Sequence, residues 1–132
     1  MSARKLPDYR LKQKILYIDN TGDNNLINYG DLFLAEGKIP DAFDFYKKAK
    51  YSEGIDKIIT TAMNTGDTML YGQAMKALNK EPVLADWEKI GQKAIALKKY
   101  FFAKFAWEKA GKREEINSLL KNMEAGSNGN EK

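Results

Sequence analysis

The 132-residue chain has no cysteine, no histidine, only three prolines and no long apolar run. Without thiols or imidazoles there is no disulfide framework, no thiolate nucleophile, no zinc site of the usual Cys/His kind and no imidazole general base. Catalysis would fall to carboxylates, lysines, tyrosines or hydroxyls, and these form no Gly-rich phosphate loop, metal-ligand cluster or nucleophile arrangement. A bilayer span needs about 20 successive apolar residues, and no stretch approaches that. Arg4, Lys5, Asp8, Arg10, Lys12 and Lys14 interrupt any signal-peptide core at the N-terminus. The expectation is a cytoplasmic protein that is no enzyme, carries no cofactor or metal and does not insert into membranes.

What is present suits a folded chain: 43% apolar and 30% charged residues. A single domain over residues 1–125 is expected, with the polar, Gly-rich tail 126–132 disordered. The net charge of +4 is unevenly spread: residues 1–15 carry +4, 16–88 carry −5, 89–113 carry +7 and 114–132 carry −2.

Helix punctuation recurs along the chain. Pro7, Pro40 and Pro82 each precede a helix-compatible run, where a first-turn proline sacrifices no hydrogen bond. Gly22, Gly37, Gly66, Gly111 and Gly126 stand where runs end, as candidate C-terminal caps. Thr21-Gly22-Asp23 and Thr65-Gly66-Asp67 read as one repeated device, in which Gly stops a helix and Asp caps the next. Helices are predicted at about 8–20, 24–36, 40–50, 53–65, 67–79, 83–98, 100–110 and 113–124. Ile15-Leu16-Tyr17-Ile18 alone is ambiguous between helix and strand.

Residues 29–59 overlay residues 90–120 without a gap, at an offset of 61. Gly30 meets Gly91, Ala42 meets Ala103, Tyr46 meets Trp107 and Ala49 meets Ala110. Each copy reads as two helices and a short turn, followed by a third helix. A glycine in the first helix, costing about 1 kcal/mol of helix propensity, admits a close partner. The small-large-small stripe at i, i+4, i+7 supplies an aromatic ring to fill the crossing.

The order Leu26, Tyr29-Gly30, Ala42, Tyr46, Ala49, and again Trp87, Ile90-Gly91, Ala103, Trp107, Ala110, resembles the tetratricopeptide-repeat signature. Gly54 and Glu115 stand where that signature usually has proline, and the copies are farther apart than the about 34 residues of tandem repeats. The succession of elements over about residues 24–124 is also similar to the helical-repeat arms of coatomer α and β′ subunits. The resemblance implies an all-α, right-handed α-solenoid of about eight antiparallel helices with two tetratricopeptide-like hairpins.

It also implies a protein-interaction adaptor or scaffold. Among the first-helix positions that would face a groove are Asn24, Asn28 and Asp31 in copy one and Lys89 and Gln92 in copy two; Lys93, Lys98 and Lys99 are added from the basic stretch. These are the candidate partner-binding residues. Asp31 has the wrong sign for the carboxylate clamp of some tetratricopeptide domains, so such a clamp is not expected. Segment 89–113 either docks an acidic peptide or is a solvated face on which lysine stems cover aromatic surface, the reading preferred here. Tyr100, Phe101, Phe102, Phe105 and Trp107 are read as core packing rather than as a platform for bases. Asp41 and Asp44 are read as partners of a helix N-terminus. The alternatives are binding of nucleic acid or another polyanion through residues 89–113, and self-assembly into a homo-oligomer.

Overall fold

The computed structural model describes residues 6–112, 114–118 and 121. Among the described residues the chain is all-helical, without strands: α1 (Tyr9–Tyr17), α2 (Asp23–Ala35), α3 (Ile39–Lys48), α4 (Ser52–Thr65), α5 (Thr68–Ala77), α6 (Leu84–Ala96) and α7 (Tyr100–Ala110), then helical residues 114–118. The expected tail, 126–132, lies outside the described residues. The ambiguous stretch at Ile15 is helical and buries Ile15 and Leu16. The contacts cluster into two units, Met1–Ile58 and Ile59–Lys132.

The offset of 61 found in the sequence reappears in the helix limits. Asp23–Ala35 maps onto Leu84–Ala96, and the starts at Ile39 and Tyr100 coincide. In each copy the two helices pack on one another. In both, the aromatic of the second helix lies against the glycine of the first: Tyr46 against Gly30, Trp107 against Gly91.

Helices α2 to α7 all end in the same way. The residue one or two past the last helical one is left-handed, and the next N–H donates to a carbonyl five residues back, closing a Schellman motif. Lys38 thus bonds Phe33, Tyr51 bonds Tyr46, Asp67 bonds Ala62, Lys80 bonds Met75, Lys99 bonds Ala94 and Lys112 bonds Trp107, at 2.8–3.0 Å. Gly37, Gly66 and Gly111 hold the left-handed positions as their sequence context implies, with φ of 71–74°. Lys50, Asn79 and Lys98 hold the other three at 53–60°.

Gly22 departs from the expectation. It precedes α2 with φ −67°, and α1 has already stopped at Tyr17; Asp23 is the first helical residue, with no side-chain cap at this end. At the second Thr-Gly-Asp both expected roles appear: Gly66 is left-handed and Asp67 accepts the Leu70 N–H at 3.1 Å. The surroundings separate the two. A β-carbon on Gly66 would meet Ala94 Cα at 2.8 Å, whereas Gly22 has open space around it.

In unit one, Lys12 joins α1 to α3. The residue is 8% exposed, and its Nζ donates to Asp41 Oδ1 at 2.6 Å and Asp44 Oδ2 at 2.8 Å. These carboxylates therefore serve an interhelical ion pair, a role their position at a helix start did not reveal. Burial opposes the Lys12 charge, but its bonds and attraction to the two carboxylates prevail and raise its pKa above the usual lysine value.

In unit two, α5 is tied to α7 by Thr68, whose buried hydroxyl donates to the Phe102 carbonyl at 2.7 Å.

Candidate functional site

The groove beside α6 brings together three of the residues singled out in the sequence. Lys89, Gln92 and Lys93 line it with Thr60, Met63 and Asn64 of α4, above the buried Ile90. Its volume is about 500 Å³, within the range of about 300–1,000 Å³ common for ligand sites. Lys89 and Lys93 are four residues apart on a helix and so share a face. Both are exposed, and neither forms an ion pair among the described residues. The groove joins an apolar base to cationic and amide groups, which suits carboxylates on an extended or helical segment.

The other candidates fall elsewhere. Asn24 is exposed in the first turn of α2. Asn28 lines a separate cavity of about 370 Å³ with Leu11 and Ile15 of α1, Tyr29 and Leu32. Asn28 and Tyr29 match Lys89 and Ile90 under the repeat offset, so the corresponding first-helix face borders a cavity in each copy. Asp31 accepts the Tyr46 hydroxyl at 2.6 Å and is therefore engaged within its own hairpin. Burial, the bond to Asp31 and the nearby carboxylate charge push the Tyr46 pKa above the usual tyrosine range. Lys98 occupies the left-handed cap after α6, and Lys99 donates to the Thr65 carbonyl at 2.6 Å, satisfying a helix end.

The repeat-signature residues Leu26, Gly30, Ala42, Tyr46, Ala49, Trp87, Gly91, Ala103 and Ala110 are buried; Tyr29 and Trp107 are half-buried. The expected core packing of the aromatics around α7 is corrected at Phe101, while Tyr100, Phe102 and Trp107 pack against the buried Ala94 and Ala103. Phe101 is 70% exposed, and Tyr100, Phe102 and Phe105 are only partly covered, because α7 turns its alanines 103, 106 and 110 inward. Small residues permit the close crossing with α6, which leaves the larger rings at its margins.

Sequence reasoning missed a second cavity in unit two, bordered by Gly72 of α5, Trp87 of α6 and Phe105 of α7. The available signal was Tyr71-Gly72, which echoes the first-helix apolar-Gly pair. A β-carbon on Gly72 would lie 3.1 Å from Trp87 Cη2, so the partner of this glycine is the opening aromatic of copy two. Tyr71 meets Trp87 edge-on at 5.2 Å, and burial, followed by the charge of Asp86 and a hydrogen bond to it, pushes the Tyr71 pKa up to about 12.

Among the described residues no helix is long and apolar enough to cross a membrane, and no group of three or more carboxylates is placed to hold a metal ion. No family model, curated protein or solved structure matches the chain.

Proposed function

We propose that this chain is a non-enzymatic protein-interaction module of tetratricopeptide-like type, a cytoplasmic adaptor or scaffold that docks an acidic peptide. The observation carrying this reading is the groove between α4 and α6, where Lys89, Gln92 and Lys93 lie together beside Met63 and Ile90. The recurrence of the glycine-aromatic hairpin at the same helix limits supports the repeat character. Cationic side chains free of internal partners attract a negatively charged segment over about one Debye length, some 8–10 Å at ordinary salt.

The test measures binding of a fluorescent acidic peptide to the full chain and to a Lys89→Glu, Lys93→Glu double variant. Both positions are exposed, so the fold is retained. Affinity should fall at least tenfold in the variant and fall with salt in the parent chain. Equal affinity in both proteins would remove this groove as the docking site. Retention of the parent on a polyanion resin without competition by the peptide would favour the polyanion alternative.

A further inference from the structure

We propose that the cavity floored by Met69, Trp87 and Phe105 and rimmed by Lys76, Lys80 and Lys109 receives an acidic peptide segment through one large apolar side chain of that segment. The inference rests on the protein-interaction reading for its class of partner, but it concerns a different site. The cavity measures about 510 Å³. Its rim carries three lysines against one carboxylate, Glu81, and Lys76 and Lys80 form no ion pair among the described residues. The third lysine lies over the floor, with Lys109 Nζ 5.5 Å from the Phe105 ring centroid. An apolar floor inside a cationic rim complements an apolar side chain flanked by carboxylates, because each half of such a ligand meets its own kind of surface.

The site is also built in advance. Gly72 withholds a side chain beside the Trp87 ring edge. The wall at 79–82 is held by left-handed Asn79, by the Lys80 N–H donating to the Met75 carbonyl at 2.9 Å, and by Pro82. A wall already ordered reduces the entropy lost on binding. Met69 is 37% exposed where it lines the cavity, and its unbranched thioether adapts to varied shapes.

A nucleic acid would need an open ring face for base stacking. Trp87 is only 7% exposed and packs edge-on with Tyr71 at 5.2 Å and Phe105 at 6.1 Å, while Lys109 covers Phe105. These rings shape a concavity rather than a stacking platform, which favours an aliphatic or aromatic side chain inserted from a peptide.

Met69 and Met63 report separately on the two grooves of unit two. The full chain, labelled at its methionine methyls, is titrated with the capped pentapeptide Asp-Glu-Leu-Glu-Asp and with its Leu→Ala analogue. The Met69 methyl should shift, whether or not Met63 also responds at the other groove, and the Ala analogue should saturate the Met69 shift about tenfold more weakly. Lys76→Glu with Lys80→Glu, both on the surface, should remove the Met69 response; Lys89→Glu with Lys93→Glu should leave it intact. A shift of Met63 alone would assign the peptide to the other groove and overturn this site while leaving the interaction reading standing. No shift at either methyl, or a Met69 shift with oligothymidylate but not with peptide, would also overturn it.

Discussion

Gly30 faces Tyr46 so closely that a β-carbon at residue 30 would lie 2.5 Å from Tyr46 Cε1. Gly54 crowds the same ring, its β-carbon falling 2.6 Å from Cγ. The ring is fully buried and its hydroxyl is tethered to Asp31, so it has little freedom to yield. Copy two has half of this arrangement: Gly91 approaches Trp107, but exposed Glu115 stands at the position matching Gly54, and Trp107 is half-buried.

Gly30→Ala and Gly54→Ala should therefore destabilise the chain by about 1–3 kcal/mol through overpacking, despite the roughly 1 kcal/mol that alanine adds in helix propensity. Gly91→Ala should cost less, because Trp107 can move toward solvent. Urea unfolding of the three variants checks the order; an equal or larger loss at Gly91 would contradict the account.

Lys12→Met should cost about 2 kcal/mol, since it leaves Asp41 and Asp44 facing one another without their cation. The figure stays well below that for a deeply buried pair because both carboxylates are about one-third exposed. Replacing the two aspartates with Asn as well should recover part of the loss. A thermal scan of the single and triple variants measures both effects.

The left-handed caps offer a test of opposite sign. Position 37 is Gly where its repeat equivalent 98 is Lys, and position 50 is Lys where 111 is Gly; all four have positive φ. A side chain pays about 1–2 kcal/mol in this conformation, partly offset by glycine's greater freedom when unfolded. Lys50→Gly and Lys98→Gly should each stabilise by about 0.5–1 kcal/mol, while Gly37→Lys and Gly111→Lys should destabilise by a similar amount. Denaturant midpoints for the four variants decide it.

Alkaline pH should unfold the chain earlier than a lysine- and tyrosine-rich surface alone would imply. Tyr71 is raised from 10.0 to about 12, and Tyr46 and Lys12 are also raised. In each case the folded state holds its proton more tightly than the unfolded one. That stability is complete below about pH 10 and is lost as pH climbs through the folded values. Circular dichroism with tyrosinate absorbance should show tyrosines ionising together with loss of helix above pH 10. Tyr71→Phe should remove part of that dependence.

Much of the helix order was legible locally because the signals are local: proline at starts, glycine at stops, and 3.6-residue periodicity between them. The overlay at 61 residues also located the two close helix pairs, since a glycine opposite an aromatic leaves a recognisable spacing. The sequence was less informative wherever a neighbour decided the outcome. Thr-Gly-Asp occurs twice, yet only Gly66, pressed against Ala94, takes the left-handed form. The Lys12 ion pair spans some thirty residues and leaves no periodic trace. Of the candidate binding residues, Lys89, Gln92 and Lys93 meet in one groove, while Asp31 and Lys99 are spent on bonds within the fold.

By itself, the sequence determined that this chain is helical, lacks thiol and imidazole chemistry, and repeats a glycine-aromatic hairpin. Those properties follow from residue type and short-range spacing, which act within a helix turn or across a tight connection. Only the tertiary structure decided which lysines are free and which hold the fold, which aromatics are buried, and that Gly72, Trp87 and Phe105 enclose a cavity. Those outcomes depend on helices distant in sequence approaching within a few ångströms, and such proximity is encoded in packing rather than in any one segment.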